Sequence, residues 1–164
     1  MNSCQRLIAA AVDQKPASQA TTPVDRFYQG ACAGLTALIV DDNPLNRFAL
    51  TALLQRGKMT VHAAASGADA LETLEQRADI DIVFMDIMMP IMDGYQAMAA
   101  IRESPEYRDL PIIAVTATDS EGEHERCVAA GASTYIPKPI HAAELLAAIS
   151  HWLPAPHVAA LTGS

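Results

Sequence analysis

The sequence predicts a doubly wound α/β domain with a five-stranded parallel sheet and helices on both faces. Two observations support this fold class. Five short apolar runs are each followed by a segment that carries apolar residues at helical spacing. The runs show no polar alternation, which is typical of strands that are buried on both faces. Because parallel strands are joined by right-handed crossovers, the helices should cover both faces of the sheet.

The first two strand and helix pairs are marked by capping residues. Residues 35–40 (LTALIV) are typical of a buried strand, and the helix after it should have Asn43 as N-cap, Pro44 in its first turn and Gly57 just past its end. Apolar residues of this helix recur at helical spacing and should line one face: Leu45, Phe48, Ala49, Ala52 and Leu53. Residues 59–65 (MTVHAAA) form the second predicted strand, and Ser66 caps the next helix.

The remaining elements follow the same alternation. Predicted strands cover residues 81–86 (DIVFMD), 111–117 (PIIAVTA) and 134–137 (TYIP). A third helix should follow Asp93, a fourth should begin at Ser120 and end before Gly131, and a fifth should begin near His141. Apolar residues recur at a helical period in the fifth helix: Leu145, Leu146, Ile149, Trp152 and Leu153.

Three regions are predicted along the chain. Residues 1–34 are an N-terminal extension or linker, because residues 13–26 mix Pro, Ser, Thr and Gln and have little to bury. A short helix over residues 2–12, or part of an upstream domain, is the alternative for this region. Residues 35–153 form the folded domain. Residues 154–164 begin with Pro-Ala-Pro and are expected to be a flexible C-terminal tail.

Composition restricts the classes of partner and the compartment. A formal net charge of -8 and a pI near 4.9 argue against binding to nucleic acid or to anionic membranes, which require a basic surface. The cysteines Cys4, Cys32 and Cys127 form no C-x-x-C pair, so neither a disulfide framework nor a zinc site is predicted. Apolar stretches fall short of the roughly 18 residues that cross a bilayer. A cytoplasmic location is therefore expected.

Polar side chains stand at the ends of the predicted strands. In a doubly wound sheet the ligand site lies beyond the carboxyl ends of the strands, so these residues should converge there: Asp41, Asp42, Asp86, Thr116 and Lys138. Carboxylates placed close together repel one another unless a cation lies among them. Mg²⁺ suits such a site because it prefers oxygen ligands and often shares a phosphate oxygen. Lys138 and Thr116 add a positive charge and a hydroxyl donor that would stabilise a phosphoryl group.

Four motifs in this order carry a family resemblance: IVDDNPLNR, MDIMMPIMDG, AVTA and YIPKP. Over residues 35–153 they resemble the CheY-like receiver domain of two-component response regulators. The resemblance implies a flavodoxin-like sheet with strand order 2-1-3-4-5. It also implies Asp86 as phosphoacceptor and a Mg²⁺ site made by Asp41, Asp42, Asp86 and the backbone carbonyl of Met88.

The resemblance further implies how the domain switches. Thr116 and Lys138 would contact the phosphoryl oxygens, the Lys138–Pro139 bond is expected to be cis, and Tyr135 matches the family's switch aromatic. A histidine kinase or histidine phosphotransfer protein would donate the phosphoryl group to Asp86. Thr116 would then move toward that group, and the Tyr135 ring would turn inward. The chain is therefore expected to be a signalling domain without turnover beyond its own phosphorylation and dephosphorylation.

Output is expected to pass through other proteins. The fourth helix, the fifth strand and the fifth helix would form the surface for a downstream protein target or for a homodimer. Because eleven residues follow Leu153, no DNA-binding output domain is expected. Met88 and Thr118 occupy the positions that tune dephosphorylation in the family, so the lifetime of the phosphorylated state is left open.

Two other functions are weighed against this interpretation. The chain resembles receivers of hybrid histidine kinases in its VDDNPLNR motif, so it could be a receiver fragment of such a kinase. A Mg²⁺-dependent phosphatase of the haloacid dehalogenase type also uses a strand-end aspartate. That enzyme class requires a second acid two residues after the nucleophile, where this chain has Met88, so the phosphatase is disfavoured.

Overall fold

The computed structural model describes residues 22–153 and places a five-stranded parallel sheet at the centre of the fold. The strands are β1 (Thr36–Val40), β2 (Thr60–Ala64), β3 (Ile82–Asp86), β4 (Ile112–Thr116) and β5 (Thr134–Pro137). Their order in the sheet is β2-β1-β3-β4-β5, and every neighbouring pair is parallel. The predicted fold class and strand order are confirmed.

Six α-helices lie within the described residues. They are α1 (Pro23–Tyr28), α2 (Pro44–Arg56), α3 (Gly67–Gln76), α4 (Gly94–Glu103), α5 (Glu121–Ala130) and α6 (Ala142–Trp152), with a 3₁₀ turn at Pro105–Tyr107. The predicted caps are present because short polar side chains accept from free backbone N–H groups at the helix starts. Asn43 caps α2, Ser66 caps α3, and Ser120 caps α5. Gly131 ends α5 at φ 119°, a conformation that favours glycine.

Two apolar layers enclose the sheet. Alternate residues of β3 face opposite layers, since Phe84 packs with α2 and α6 while Met85 packs with α3, α4 and α5. All five residues of β1, β3 and β4 are buried, which explains why these strands show no polar alternation. The three central strands are thus fixed from both sides, and their carboxyl ends are held at one edge.

Helix α2 packs through a different face from the one that its apolar spacing indicates. Leu45 and Phe48 belong to the predicted apolar face and are 76% and 74% exposed, whereas the buried residues are Leu50 and Leu54. Apolar residues occur almost all round this helix, so spacing alone cannot select the packed side. The unpacked apolar side chains remain available at the surface.

Residues 22–34 precede the predicted domain boundary and pack against the domain. Thr22 and Asp25 form a capping box at the start of α1, and Phe27 of this helix is fully buried. Phe27 fills the space left by Gly57: a Cβ added at that glycine would lie 2.2 Å from Phe27 Cζ. The Arg56 guanidinium stacks 4.4 Å above the Tyr28 ring. Helix α1 thereby covers the ends of α2 and α6.

The domain boundary at residue 35 and the extension before it stay predictions. The predicted short helix over residues 2–12, Cys4, and the C-terminal tail at residues 154–164 lie outside the described residues. For the described part of the predicted linker, the structure shows a short capped helix that contributes an aromatic side chain to the core.

Removing the Phe27 ring tests whether α1 belongs to the folding unit. Phe27→Ala should lower the free energy of unfolding by about 3 kcal/mol, because it deletes a fully buried ring and leaves a cavity against Gly57. Urea-induced unfolding measures this. Phe48→Ala is the matched control, since its exposed ring should change stability by less than about 0.5 kcal/mol. Equal effects of the two substitutions would show that α1 is not stably packed.

Candidate functional site

Three carboxylates meet at the carboxyl edge of the sheet. Asp41 and Asp42 follow β1, and Asp86 ends the neighbouring strand β3. One carboxylate oxygen of each residue lies within 4.8 Å of the others. Asp86 and Asp41 are only 3% and 6% exposed, while Asp42 faces solvent. The parallel pairing of β1 and β3 brings these residues together, as the sequence predicts.

Lys138 supplies the positive charge at this cluster. Its Nζ lies 3.0 Å from Asp86 Oδ1 and 3.6 Å from Asp41 Oδ2. The lysine follows β5 directly, and its backbone N–H donates to the Thr116 carbonyl at 2.7 Å. The Lys138–Pro139 peptide bond is cis, as expected. One ammonium therefore pairs with two of the three clustered carboxylates, those of Asp86 and Asp41.

The environment of Asp86 disfavours its charged form. Burial raises the pKa of the Asp86 carboxyl, the hydrogen bond from Lys138 opposes that rise, and the nearby Asp41 charge adds to it. The pKa lies above its usual value on balance, because burial is the largest of these effects. A cation coordinated by these oxygens would favour the charged form, and a hard divalent ion fits this donor set.

Thr116 ends β4, whereas Tyr135 of β5 pairs with Ala114, two residues before that end. The buried Thr116 hydroxyl donates to the Thr118 carbonyl and accepts from the Thr118 N–H, both at 3.1 Å. The Tyr135 hydroxyl donates to Asp119 Oδ1 at 2.8 Å, and its ring lies 4.6 Å from that of His124. The hydroxyl groups of Thr116 and Tyr135 thus both bond to the segment that follows β4.

Two residues that sequence reasoning left out of the site shape it. The Arg47 guanidinium donates to the Asp41 carbonyl at 2.8 Å and fixes the turn after β1. Gly94 lets α4 begin against Asp86, since a Cβ there would lie 2.3 Å from the Asp86 carbonyl oxygen. The Asp-Gly pair at 93–94 is typical of a turn, so the sequence did not show that Gly94 is needed for the close approach of α4 to Asp86.

Exposed apolar side chains flank the cluster. Leu45 and Phe48 stand on α2, while Met88 and Ile91 follow Asp86 and are 72% and 104% exposed. Ile91 adopts φ 69°, a conformation that is rare for a β-branched residue and leaves its side chain in solvent. A cavity of about 500 Å³ connects α2 with Asp86 and Lys138. Most of the residues that line this cavity are apolar, although Asp41, Asp86 and Lys138 also line it.

The strand order and the acidic edge with its lysine define the class of CheY-like receiver domains. The sequence model of the response regulator receiver domain family matches residues 37–150 of this chain. The chain belongs to that family, so it is a receiver domain of two-component signalling systems. Receiver domains bind Mg²⁺ at an acidic pocket and interact with histidine kinases or phosphotransfer proteins.

Similar proteins include histidine kinases. The signal transduction histidine-protein kinase BarA of Shigella flexneri is 42% identical over 106 residues, which are 65% of this chain and 11% of BarA. The receiver domain of a sensor histidine kinase from Pseudomonas aeruginosa PAO1, solved with a magnesium ion in its active site cleft, is 37% identical. It has a TM-score of 0.67 and covers 73% of this chain and 98% of that one.

A solved complex of a phosphotransfer protein and a receiver domain also contains a similar chain. It joins the Saccharomyces cerevisiae phosphotransfer protein Ypd1 to the receiver domain of the response regulator Ssk1. The similar chain is 25% identical to this one, with a TM-score of 0.67, and the match covers 72% of this chain and 88% of that chain. Across residues 22–153, no helix is long and apolar enough to cross a membrane.

Proposed function

We propose that Asp86 accepts a phosphoryl group from the phosphohistidine of a histidine kinase or of a histidine phosphotransfer protein. The observation that carries the proposal is the position of Asp86: it is almost fully buried at the end of β3, with Lys138 Nζ 3.0 Å away. An aspartate used only as a helix cap or turn residue would need neither this lysine nor two further carboxylates. A phosphoryl acceptor needs both.

The two oxygens of Asp86 differ in their contacts. Oδ1 accepts from Lys138 Nζ and, at 3.4 Å, from the Met88 N–H. Oδ2 has no hydrogen-bond partner among residues 22–153, so it is the oxygen that is free to attack. A bond forms between Oδ2 and phosphorus as the N–P bond of the phosphohistidine breaks. The departing imidazole keeps that electron pair and takes a proton from solvent.

The residues that would hold Mg²⁺ are Asp41, Asp42, Asp86 and the Met88 backbone carbonyl. The ion, when bound, neutralises charge on the transferring phosphoryl group. Lys138 contributes a second positive charge from its position beside Asp86 and would donate to a phosphoryl oxygen. Asp41 is held for its role by the Asn43 N–H, which donates to its Oδ1 at 2.8 Å.

The product also explains the placement of Thr116 and Tyr135. An acyl phosphate brings new acceptor oxygens to the end of β3, where the Thr116 hydroxyl can donate to one of them. To do so it must leave the Thr118 carbonyl, its present acceptor at 3.1 Å. The shift frees space for the Tyr135 ring to turn inward, and phosphorylation stabilises the conformation that makes these contacts.

Exposed apolar residues support a protein as phosphodonor. Because Asp86 is almost fully buried, a donor protein would have to dock closely over it, and exposed apolar residues on α2 and just after Asp86 would be available to contact that protein: Leu45, Phe48, Met88 and Ile91. Apolar contacts around a charged centre would orient such a donor without adding to the charge at the site. The Ypd1–Ssk1 complex is an assembly of this kind between other proteins.

The output surface is proposed separately from the donor surface. Strand β5 carries Tyr135 and contacts both α5 and α6, so this surface would change when the ring moves. A downstream protein or a second copy of the chain would bind there.

Cytoplasmic location stays a prediction, as does the alternative that the chain is a receiver segment of a hybrid kinase. The phosphatase alternative lacks its second acid, since Met88 occupies that position and is 72% exposed.

Mass spectrometry tests the phosphoacceptor directly. After incubation with acetyl phosphate and Mg²⁺, the protein should gain the mass of one phosphoryl group, and Asp86→Asn should abolish this gain. Asp93→Asn is the matched control, because Asp93 caps α4 and asparagine caps equally well. A gain that persists in Asp86→Asn would contradict the assignment. Multiple turnover of phosphate esters would favour the phosphatase.

Thermal unfolding tests the metal site without any phosphodonor. At about 100 times its dissociation constant, Mg²⁺ should add about 2.7 kcal/mol to the free energy of unfolding of the unmodified chain. Asp42→Asn should lose most of this stabilisation, since it removes one of the clustered carboxylates. Asp69→Asn replaces an exposed acid on α3 and should keep it. A loss that is the same in both variants would exclude a specific site.

A further inference from the structure

Two residues that follow β4 contact the half-buried Tyr135 side chain, which also packs against the apolar layer formed with α3, α4 and α5. The Tyr135 hydroxyl donates to Asp119 Oδ1 at 2.8 Å, and the carboxylate acceptor raises the pKa of Tyr135. The His124 ring, in the first turns of α5, lies 4.6 Å from the Tyr135 ring at an interplanar angle of 40°. A charge-assisted hydrogen bond and a ring contact therefore act on the same side chain.

The same short segment also carries the contacts of Thr116. The Thr116 hydroxyl donates to the carbonyl of Thr118 and accepts from its N–H, and Asp119 is the next residue. A movement of Thr116 away from Thr118 therefore alters the segment that positions Asp119. A continuous set of contacts runs from the end of β4 to the hydroxyl of Tyr135.

We infer that Asp119 and His124 are positioning residues that hold Tyr135 outward and thereby set how much phosphoryl binding energy is needed to switch the domain. The inference rests on the proposed function of Asp86 and adds residues that the switch itself does not require. The inward conformation forms only when both contacts to Tyr135 are broken. Any ligand that favours the inward conformation must therefore supply the free energy that breaking these two contacts costs.

Three features identify these residues as a holding device and not as general scaffold. Asp119 and His124 are both exposed, so neither side chain contributes to the core. Both contact Tyr135, and both lie within eight residues after Thr116, between the end of β4 and the first turn of α5. Neither touches Asp41, Asp86 or Lys138 in the contacts described above, so their replacement leaves the acidic cluster intact.

Beryllofluoride with Mg²⁺, which mimics the phosphoryl group on an aspartate, is the probe for the test. Its affinity should rise about fivefold in Asp119→Ala and in His124→Ala, a change that corresponds to about 1 kcal/mol. Asp119→Asn keeps an acceptor for the Tyr135 hydroxyl and should remain closer to the unmodified chain. Isothermal titration measures these affinities.

A double-mutant cycle separates the holding contact from a general effect. In Tyr135→Phe, which lacks the hydroxyl, Asp119→Ala should change the affinity for beryllofluoride by less than twofold. An affinity in Asp119→Ala equal to that of the unmodified chain overturns the inference. So does a fivefold rise that persists in the Tyr135→Phe background.

A measurement without ligand distinguishes failure of this inference from failure of the proposed function. In the ligand-free protein, NMR of ¹³C-labelled tyrosine should show a shift of the Tyr135 ring signal and added millisecond exchange in Asp119→Ala. An unchanged signal overturns the inference even where beryllofluoride binds. If the unmodified chain binds no beryllofluoride and gains no phosphoryl group, the proposed function fails. The ligand-free signal then still decides whether Asp119 holds Tyr135.

Discussion

The ion pair between Lys138 and Asp86 joins the two sides of the site. Asp86 ends the central strand β3 and Lys138 follows the edge strand β5, so the lysine side chain extends past the end of β4. This arrangement exists because parallel strands place their carboxyl ends at one edge. Lys138 pairs with Asp86 and Asp41, and Asp42 lies beside them, so the cluster has three carboxylates around one ammonium. Clustered carboxylate oxygens are a donor set that suits a divalent cation.

The distribution of packing explains which parts of the domain can respond to this site. Helix α1 covers the ends of α2 and α6 with the buried Phe27 ring, which strengthens the side of the sheet away from Tyr135. The segment after β4 is exposed and is held by a few polar contacts. A change at Asp86 therefore meets little resistance in that segment. The exposed apolar residues Leu45, Phe48, Met88 and Ile91 belong to neither region: they are not part of the core and do not contact Tyr135 in the described structure.

Strand-end residues were predictable from the sequence because they depend only on the fold class. Once the strands are parallel, Asp41, Asp86 and Lys138 must share an edge, whatever the details of packing. The packed side of α2 was not predictable, because apolar residues occur almost all round this helix and give no preferred face. The role of Phe27 was hidden for a related reason: its slot exists only beside Gly57, which lies 30 residues further along the chain. The outward position of Tyr135 depends on Asp119, 16 residues away, and on a ring orientation that spacing cannot specify.

The most direct test of the account compares the free energies of unfolding of the unmodified chain and Asp86→Asn, first without Mg²⁺ and then at saturating Mg²⁺. If the cluster lacks one positive charge, Asp86→Asn is the more stable protein without the metal, and the unmodified chain gains more stability when Mg²⁺ is added. A variant that is less stable than the unmodified chain in metal-free buffer would contradict this, because it would show that Lys138 alone balances the buried carboxylates.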